Sequence, residues 1–355
     1  MGSKPELLPL LVRADADAAR GSGHVMRCLA LVHAWRERGG PAWFLSRCAN
    51  PALRERIQAA GAEFLSLAPD ASMELDLQST LALITELTPS FVVLDGYDFD
   101  LDYQRALRAT GHRLMVIDDT VRLPLYDADV LLNQSLGAVR SNYNHNPDAT
   151  LLLGPEYALL RREFVYWRSR LHTVPETARK ILVTLGGSDP DNVTLKIIEA
   201  LRQLETARLQ IRVVAGPANP HIDELEHAAA DFPGPLELLT AVPDMAPLMS
   251  WADLAVTGAG GTCWELACLG VPALSLVIAE NQRSIAEELA AAGAVVNLGW
   301  HTDVAVERVA TAVNGLLYSS FRRLRMSQQG RALVDGKGAS RVASALSQRD
   351  CIRAA

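Results

Sequence analysis

The sequence lacks the cysteine pattern of a disulfide-stabilised or zinc-binding protein. Its 355 residues include five cysteines, an odd number, and they are scattered along the chain: Cys28, Cys48, Cys263, Cys268 and Cys351. The spacing of Cys263 and Cys268 fits neither a zinc knuckle nor a redox-active pair. We therefore expect reduced cysteines and no metal site.

Long apolar runs and runs of like charge are also missing, and we expect no secretory leader. No apolar stretch reaches about 18 uninterrupted residues, so the sequence predicts no transmembrane helix. The amino terminus has no positively charged region ahead of an apolar core. The formal net charge of −7 argues against a nucleic-acid partner and against an anionic membrane surface. We expect a cytoplasmic monomer with neither partner.

The length of the chain favours two domains. Short apolar strands and amphipathic helices alternate from Leu7 to Leu132, and a second alternating run begins at Lys180. This alternation predicts α/β domains, each with a parallel sheet between helices. The stretch around Pro175 has no apolar period. We therefore place the boundary there, with residues 1–173 in the first domain and 174–355 in the second.

A glycine turn joins the first predicted strand, Leu7–Val12, to the first helix. The turn Gly21–Gly23 lets a ligand approach the backbone, and free N–H groups at a helix start suit an anion. His24 stands at this helix start, where an imidazole can act as a base at neutral pH. A helix cap or a buried structural histidine is the alternative. The turn is not the dinucleotide fingerprint, because Met26 replaces its third glycine.

Polar side chains follow three strands of the first half, and they are Asp15 and Asp17, Asp95 and Tyr97, and Asp118 and Asp119. Ligands of parallel sheets bind at the carboxyl ends of the strands, so these side chains would line one crevice with His24. Any single aspartate could instead cap a turn or a helix. Arginines near the same turn could contact a sugar or phosphate, or form structural ion pairs: Arg13, Arg20 and Arg27.

Two further glycine turns lie in the second half, at Gly186–Asn192 and Thr257–Gly261. Each would place a helix start at the same edge of a sheet, and two helix dipoles aimed at one crevice suit a diphosphate. Glu265 lies about one turn into the helix after the second of these turns. Its carboxylate could accept hydrogen bonds from ribose hydroxyls, or it could be a solvated residue on the helix surface.

Seven stretches occur together in this chain: Arg13–Leu31, Asp95–Tyr97, Ile117–Asp119, Leu151–Phe164, Leu185–Lys196, Ala259–Glu265 and Glu280–Gln282. In combination they resemble the UDP-2,4-diacetamido-2,4,6-trideoxy-β-L-altropyranose hydrolases of pseudaminic acid biosynthesis. That family is similar in fold to the glycosyltransferase that adds N-acetylglucosamine in peptidoglycan synthesis, the GT-B architecture. The resemblance implies two Rossmann-like, doubly wound domains facing across a cleft, with a C-terminal helix (Ser340–Leu346) crossing back to the first.

The resemblance also implies roles for single residues. His24 would be the catalytic residue, and no metal or other cofactor would be needed. We expect substrate contacts from Arg13, Asp15, Gly23, Arg27, Tyr97, Asn281 and Gln282. We expect nucleotide contacts from Gly186, Gly187, Ser188, Met245, Gly260, Gly261, Thr262 and Glu265, with the base read by backbone groups near 241–245.

These expectations combine into one hypothesis, the metal-independent hydrolysis of a UDP-activated diacetamido-trideoxy sugar to UDP and free sugar. His24 would take a proton from the water that attacks the anomeric carbon, with inversion, while the glycine turns of the second half hold the leaving diphosphate. The alternative is a glycosyltransferase that uses a UDP-N-acetylhexosamine-type donor. A third possibility is a nucleotide-sugar-binding regulator without turnover.

Overall fold

The computed structural model describes residues 7–17, 21–170, 173–216, 218–240 and 242–353, with side chains described up to residue 348. Contacts between residues divide the chain into two units. The first unit runs up to Arg162 and includes the chain from Gly336 onward, and the second is Glu163–Asp335. The chain passes from the first unit to the second after Arg162, whereas we placed the boundary after residue 173.

Each unit is built on a parallel sheet. The strands of the first sheet are β1 (Leu10–Ala14), β2 (Ala42–Ser46), β3 (Glu63–Ser66), β4 (Phe91–Asp95), β5 (Arg113–Ile117), β6 (Val130–Asn133) and β7 (Thr150–Leu153), in the spatial order β3-β2-β1-β4-β5-β6-β7. Those of the second are β8 (Lys180–Thr184), β9 (Gln210–Val214), β10 (Leu236–Leu239), β11 (Leu254–Gly258), β12 (Ala273–Val277) and β13 (Val295–Trp300), in the order β10-β9-β8-β11-β12-β13. The predicted pair of parallel, Rossmann-like units is confirmed.

Helices connect most successive strands of the two sheets, except from β5 to β7, and further helices lie in the chain between the sheets and after the last strand. In chain order they are α1 (Gly23–Glu37), α2 (Pro51–Ala59), α3 (Met73–Leu87), α4 (Leu101–Arg108), α5 (Arg162–Arg168), α6 (Val193–Arg202), α7 (Ile222–Ala230), α8 (Met245–Trp251), α9 (Gly261–Leu269), α10 (Arg283–Ala291), α11 (Val306–Leu317), α12 (Ser320–Leu333) and α13 (Gly338–Arg353). None of the described helices is long and apolar enough to cross a membrane.

The first unit has a hydrophobic layer on each face of its sheet. Trp35 of α1, Phe44 of β2 and Leu346 of α13 are buried together on one face, so the last helix packs with the first. On the other face, Ile84 of α3 and Leu107 of α4 are almost completely buried. The carboxyl ends of β1, β4 and β5 therefore lie at one edge of a sheet that is covered on both sides.

Strand β1 differs from its prediction. It begins at Leu10 rather than Leu7 and extends through Arg13, a charged residue that is completely buried. The apolar pattern stops at Val12, so a prediction from periodicity ends the strand one residue before the arginine. A buried charge is stable only with a charged partner. Arg13 has two such partners in the structure, and the apolar pattern of the neighbouring residues does not predict them.

The second unit is centred on β8, β9 and β11, where Val183, Val213 and Val256 are fully buried. Ile197 of α6 and Val313 of α11 pack against them. The sequence does not predict β13 and α11. In β13, polar Asn297 and Gly299 interrupt the apolar run.

Helix α9 is fixed at its carboxyl end. Gly270 ends the helix with a φ of +77°, a left-handed conformation that glycine adopts without strain. Arg168 donates to the Cys268 carbonyl at 2.6 Å, and Arg331 donates to the Leu269 carbonyl at 3.3 Å. Cations at this end complement the helix dipole and hold α9 in place.

Candidate active site

His24 is the second residue of α1 and lies beside the carboxyl end of β4. Its Nδ1 is 2.7 Å from Oδ1 of Asp95, the last residue of that strand. An ionised carboxylate can only accept, so the geometry assigns the proton to Nδ1 and leaves Nε2 as a proton acceptor. The histidine is 7% exposed, so its ring sits in a nearly closed environment.

Arg27, one turn further along α1, holds the same carboxylate. Its Nε and Nη2 donate to the two oxygens of Asp95, both at 2.6 Å. Burial by itself would raise the pKa of Asp95, but the charge of Arg27 and the contact with His24 hold that pKa well below the ordinary carboxyl range. Asp95 is therefore an anion at neutral pH, although its side chain is completely buried.

The side chains of Asp119 and Tyr97 also belong to the cluster around the imidazole. Arg27 Nη1 donates to Oδ2 of Asp119 at 2.8 Å, and the Tyr97 hydroxyl donates to Oδ1 of Asp119 at 3.0 Å. The Tyr97 ring meets the His24 ring edge-on, with centroids 5.0 Å apart. The structure thus brings together three predicted site residues, namely His24, Arg27 and Tyr97.

Arg13 lies elsewhere, in a buried network of ion pairs. It is completely buried and donates to both oxygens of Asp15, at 2.6 and 2.7 Å, and to Asp76 of α3 at 2.9 Å. Arg47 also pairs with Asp76, at 2.6 Å. The ion-pair alternative therefore holds for Arg13, whose guanidinium is engaged inside the protein. Arg20 lies outside the described residues.

Asp76 is not among the residues predicted from the sequence, although the sequence carries a signal for it. Asp76, Thr80 and Ile84 are spaced by four along α3 and form its buried stripe. An aspartate on the apolar stripe of a helix needs a buried partner, because an unpaired buried charge is strongly unfavourable. In this chain the partners are Arg13 and Arg47.

A small cavity adjoins the imidazole. Its volume is about 10 Å³, and it is lined by Asp15, His24, Asp95, Gly96, Asp98 and Phe99. That is about the space that one water molecule needs, and the polar lining provides hydrogen-bond partners for it. Asp15, predicted as a substrate contact, lies at this cavity while paired with Arg13.

In the second unit, α9 offers an open amino terminus. It begins at Gly261 directly after Gly260, with no side-chain cap and no acidic residue in its first turn. Space is open around the Cα of Gly261. Thr262 and Glu265 follow in the first turns and are partly buried. Free N–H groups and the positive end of the dipole make this helix start suitable for an anion.

The turn after β8 is organised differently from the predicted one. The predicted turn Gly186–Asn192 leads into α6, which begins at Val193, but the start of this helix is not open to a phosphate as expected. The carboxylate of Asp189 accepts hydrogen bonds from the Val193 and Thr194 N–H groups, at 2.9 and 2.8 Å. An acidic side chain of the protein already occupies this helix terminus, so α6 does not offer its dipole to a ligand.

The remaining predicted residues lie at the same end of the second sheet. The side-chain oxygen of Gln282 accepts from the Ala259 and Ile278 N–H groups, at 3.1 and 3.2 Å, so Gln282 fixes the turn that precedes α9. Asn281 is exposed in a single 3₁₀ turn. Met245 is the first residue of α8. The predicted base contact at Ala241 lies outside the described residues.

The chain is similar in fold to proteins of known structure over most of its length. The chain superposes on MurG of Acinetobacter baumannii with a TM-score of 0.67 and 17% identity, over 96% of this chain and 99% of the other. The fold is that of the GT-B glycosyltransferases. Within it, residues 181–341 match the model of the glycosyltransferase family 28 C-terminal domain, which is the part that contains α9 and its open amino terminus.

Relatives of this GT-B chain carry several names. The spore coat polysaccharide biosynthesis protein SpsG of Bacillus subtilis is 27% identical over 94% of this chain and 96% of its own length. A UDP-N-acetylglucosamine–N-acetylmuramyl-(pentapeptide) pyrophosphoryl-undecaprenol N-acetylglucosamine transferase of Halorhodospira halophila is also 27% identical, over 94% and 97%.

A third relative, from Helicobacter pylori, is named pseudaminic acid cytidylyltransferase and UDP-2,4-diacetamido-2,4,6-trideoxy-beta-L-altropyranose hydrolase. It is 25% identical over 78% of this chain, which spans 45% of that relative's length. The family that the motifs resemble is thus among the relatives. Its sequence identity to this chain is similar to that of relatives with other names.

Proposed function

We propose that this chain is an enzyme that breaks the anomeric C–O bond of a nucleotide sugar and transfers the sugar to a hydroxyl acceptor. The observation that carries the proposal is the 2.7 Å contact of His24 Nδ1 with Asp95, which leaves Nε2 to take a proton. A base in this state can deprotonate an acceptor hydroxyl during attack. The family 28 match and the name of the Halorhodospira halophila relative favour transfer over hydrolysis.

The donor is proposed to bind through its phosphates at the amino end of α9. The uncapped N–H groups that begin at Gly261 would stabilise the charge that develops on the leaving diphosphate. Glu265, one turn further on, is proposed to accept hydrogen bonds from the ribose hydroxyls. Uridine is the proposed nucleoside, because the names of several relatives, including the two above that specify a donor or substrate, contain UDP-linked sugars.

In the proposed reaction, the acceptor oxygen forms a bond to the anomeric carbon while its proton passes to Nε2 of His24. The bond from that carbon to the diphosphate oxygen breaks, and its electron pair leaves with UDP. The anionic Asp95 lies against the imidazolium that results. Because attack comes from the side opposite the nucleotide, the anomeric configuration inverts.

Hydrolysis of a UDP-diacetamido-trideoxy sugar is the second candidate, and the cavity beside His24 favours it. A space of about 10 Å³ is enough for one water beside the imidazole. A water in that space would take the place of the acceptor, with the same proton transfer to His24. The hydrolase activity in the name of the Helicobacter pylori relative supports this candidate.

The two candidates are separated by measuring UDP release with and without an acceptor. The purified protein is incubated with UDP-N-acetylglucosamine and with UDP-diacetamido-trideoxy sugars, and proton NMR follows the sugar product and its anomeric configuration. Release that requires an added acceptor supports transfer, whereas equal release in its absence supports hydrolysis.

A matched pair of histidine variants controls this experiment. His24→Gln should lose release from every donor that the wild type uses, whereas His227→Gln, on the exposed surface of α7, should retain it. Binding of UDP without release from any donor would contradict both candidates and leave a nucleotide-sugar-binding regulator.

A further inference from the structure

The contacts around His24 form a closed ring that includes a second carboxylate, Asp119. The ring runs from His24 to Asp95, then to Arg27, then to Asp119, and returns through Tyr97 to the imidazole. The described contacts of Asp119 are with Arg27 and Tyr97, and none of them is with the imidazole itself. Its side chain is 11% exposed, in a setting where charges interact more strongly than in water.

The charges of this ring do not cancel while His24 is neutral. Asp95 and Asp119 each contribute one negative charge, and Arg27 contributes one positive charge. Burial alone would lower the pKa of Arg27, but Asp95 and Asp119 raise it well above its usual value, so Arg27 remains a cation. The sum is −1 with a neutral imidazole and zero with an imidazolium. The ring is therefore balanced after His24 has taken a proton.

Other ionisable groups also lie near the ring. They are Asp15 and Asp98 at the cavity, the Cys28 thiol on Asp95, and Arg122 over the Tyr97 ring at 5.9 Å. Asp15 is neutralised by Arg13, and burial raises the pKa of Cys28, so that thiol stays protonated. Asp119 is the carboxylate that shares Arg27 with the pair formed by His24 and Asp95. Its negative charge therefore offsets the positive charge of Arg27 at that pair.

We propose that Asp119 is a positioning residue that acts on His24 through Arg27 and supplies the negative charge that lets the imidazole take up the acceptor's proton. The inference rests on the function proposed above. Without Asp119, Arg27 would neutralise Asp95 by itself, and an imidazolium would leave a net positive charge. Arg27 Nη2, 3.2 Å from Nδ1, would then oppose protonation of the ring.

Asp119→Asn tests this proposal, because it keeps the shape of the side chain and removes its charge. The protonation of the His24 ring is followed by NMR in the labelled full chain, with the signal assigned by its loss in His24→Gln. We expect the titration midpoint to move to lower pH by about 0.5–1 unit, less than the 1–3 units typical of a directly adjacent charge. Where donor turnover is measurable, the acidic limb of the pH–rate profile should move in the same direction.

Three variants separate the charge effect from a structural one. Asp119→Glu keeps the charge and should restore most of the shift. Tyr97→Phe removes a hydrogen bond to Asp119 but no charge at neutral pH, and should leave the midpoint near the wild-type value. Asp102→Asn removes an exposed carboxylate from α4 and is the matched control.

The ring titration needs no turnover, so it stands independently of the proposed function. An unchanged midpoint in Asp119→Asn, in a chain that melts like the wild type, would overturn the inference. If Asp119→Asn fails to fold, Asp119→Ser is measured in its place, with the same expected direction and the same overturning result.

Discussion

His24 and Asp95 meet at 2.7 Å although 71 positions separate them in the chain. Strands β1 and β4 are neighbours in the first sheet, so the helix after β1 starts beside the last residue of β4. The pair gives the imidazole a fixed tautomer with Nε2 as the acceptor.

Replacing His24 with Gln should remove the proposed base and leave the proposed nucleotide site intact. General-base assistance is typically worth about 10²–10⁴ in rate, so kcat should fall by that order. UDP affinity, measured by calorimetry, should stay close to wild type. A His24→Gln protein that retains full turnover would exclude the base role.

Asp95→Asn should lower kcat almost as far as His24→Gln does. The new amide can donate to Nδ1, which selects the tautomer with its proton on Nε2 and blocks that nitrogen as an acceptor. Arg27 also loses a partner in a buried site, so the free energy of unfolding should fall by about 3 kcal/mol or more. Denaturant unfolding and UDP-release kinetics check both effects. A wild-type rate with lowered stability would contradict the tautomer argument.

Stability should depend on pH through Asp95 and Asp15. Burial alone would raise the pKa of each carboxyl, but Arg27 lowers that of Asp95 and Arg13 lowers that of Asp15. A carboxyl whose pKa is lowered by folding stabilises the protein above the ordinary range near pH ~4, and this stabilisation is lost as the pH falls below it.

The melting temperature should therefore decline steeply below about pH 4, and the decline should be shallower in Asp95→Asn. Thermal unfolding followed by circular dichroism between pH 7 and pH 3 measures both slopes. Equal slopes in the two proteins would show that Asp95 contributes nothing to the pH dependence.

Gly261→Asp should block the proposed phosphate site at α9 without disturbing the fold. The space around Gly261 is open, and an acidic residue in the first turn of α9 favours the helix dipole. Its carboxylate would occupy the place of a phosphate and repel it, so we expect the affinity for UDP to fall about tenfold or more. Gly261→Ala is the matched control and should bind UDP nearly as well as wild type. Equal binding by both variants would place the phosphates elsewhere.

Gly338→Ala should weaken the packing of α13 against the rest of the first unit, to which this helix belongs. A Cβ at this position would lie 2.2 Å from the Ala158 carbonyl oxygen, so the backbone of one segment must move. Overpacking of this kind costs about 1–3 kcal/mol, which thermal or urea unfolding detects. Gly315→Ala, inside α11, meets only the far end of Arg322 at 3.8 Å and should be neutral or slightly stabilising. Loss of stability in Gly315→Ala alone would reverse the expectation.

The sequence by itself determined the architecture and part of the candidate site. The alternation of strands and helices predicted parallel sheets, because the period of buried residues is set within each segment. The Gly21–Gly23 turn predicted His24 at a helix start, and Thr257–Gly261 predicted the start of α9. Both are short-range features, so the residues next to them in the chain are sufficient to predict them.

Only the tertiary structure decided which charges meet. Arg13 pairs with Asp76, 63 positions away, and Arg27 pairs with Asp119, 92 positions away. The order of strands in a sheet brings such residues together, and no spacing in the chain specifies that order. The same holds for α6: a loop conformation places Asp189 on its amino terminus, which a glycine pattern alone could not predict. Periodicity specifies the elements, and packing between distant segments specifies their chemistry.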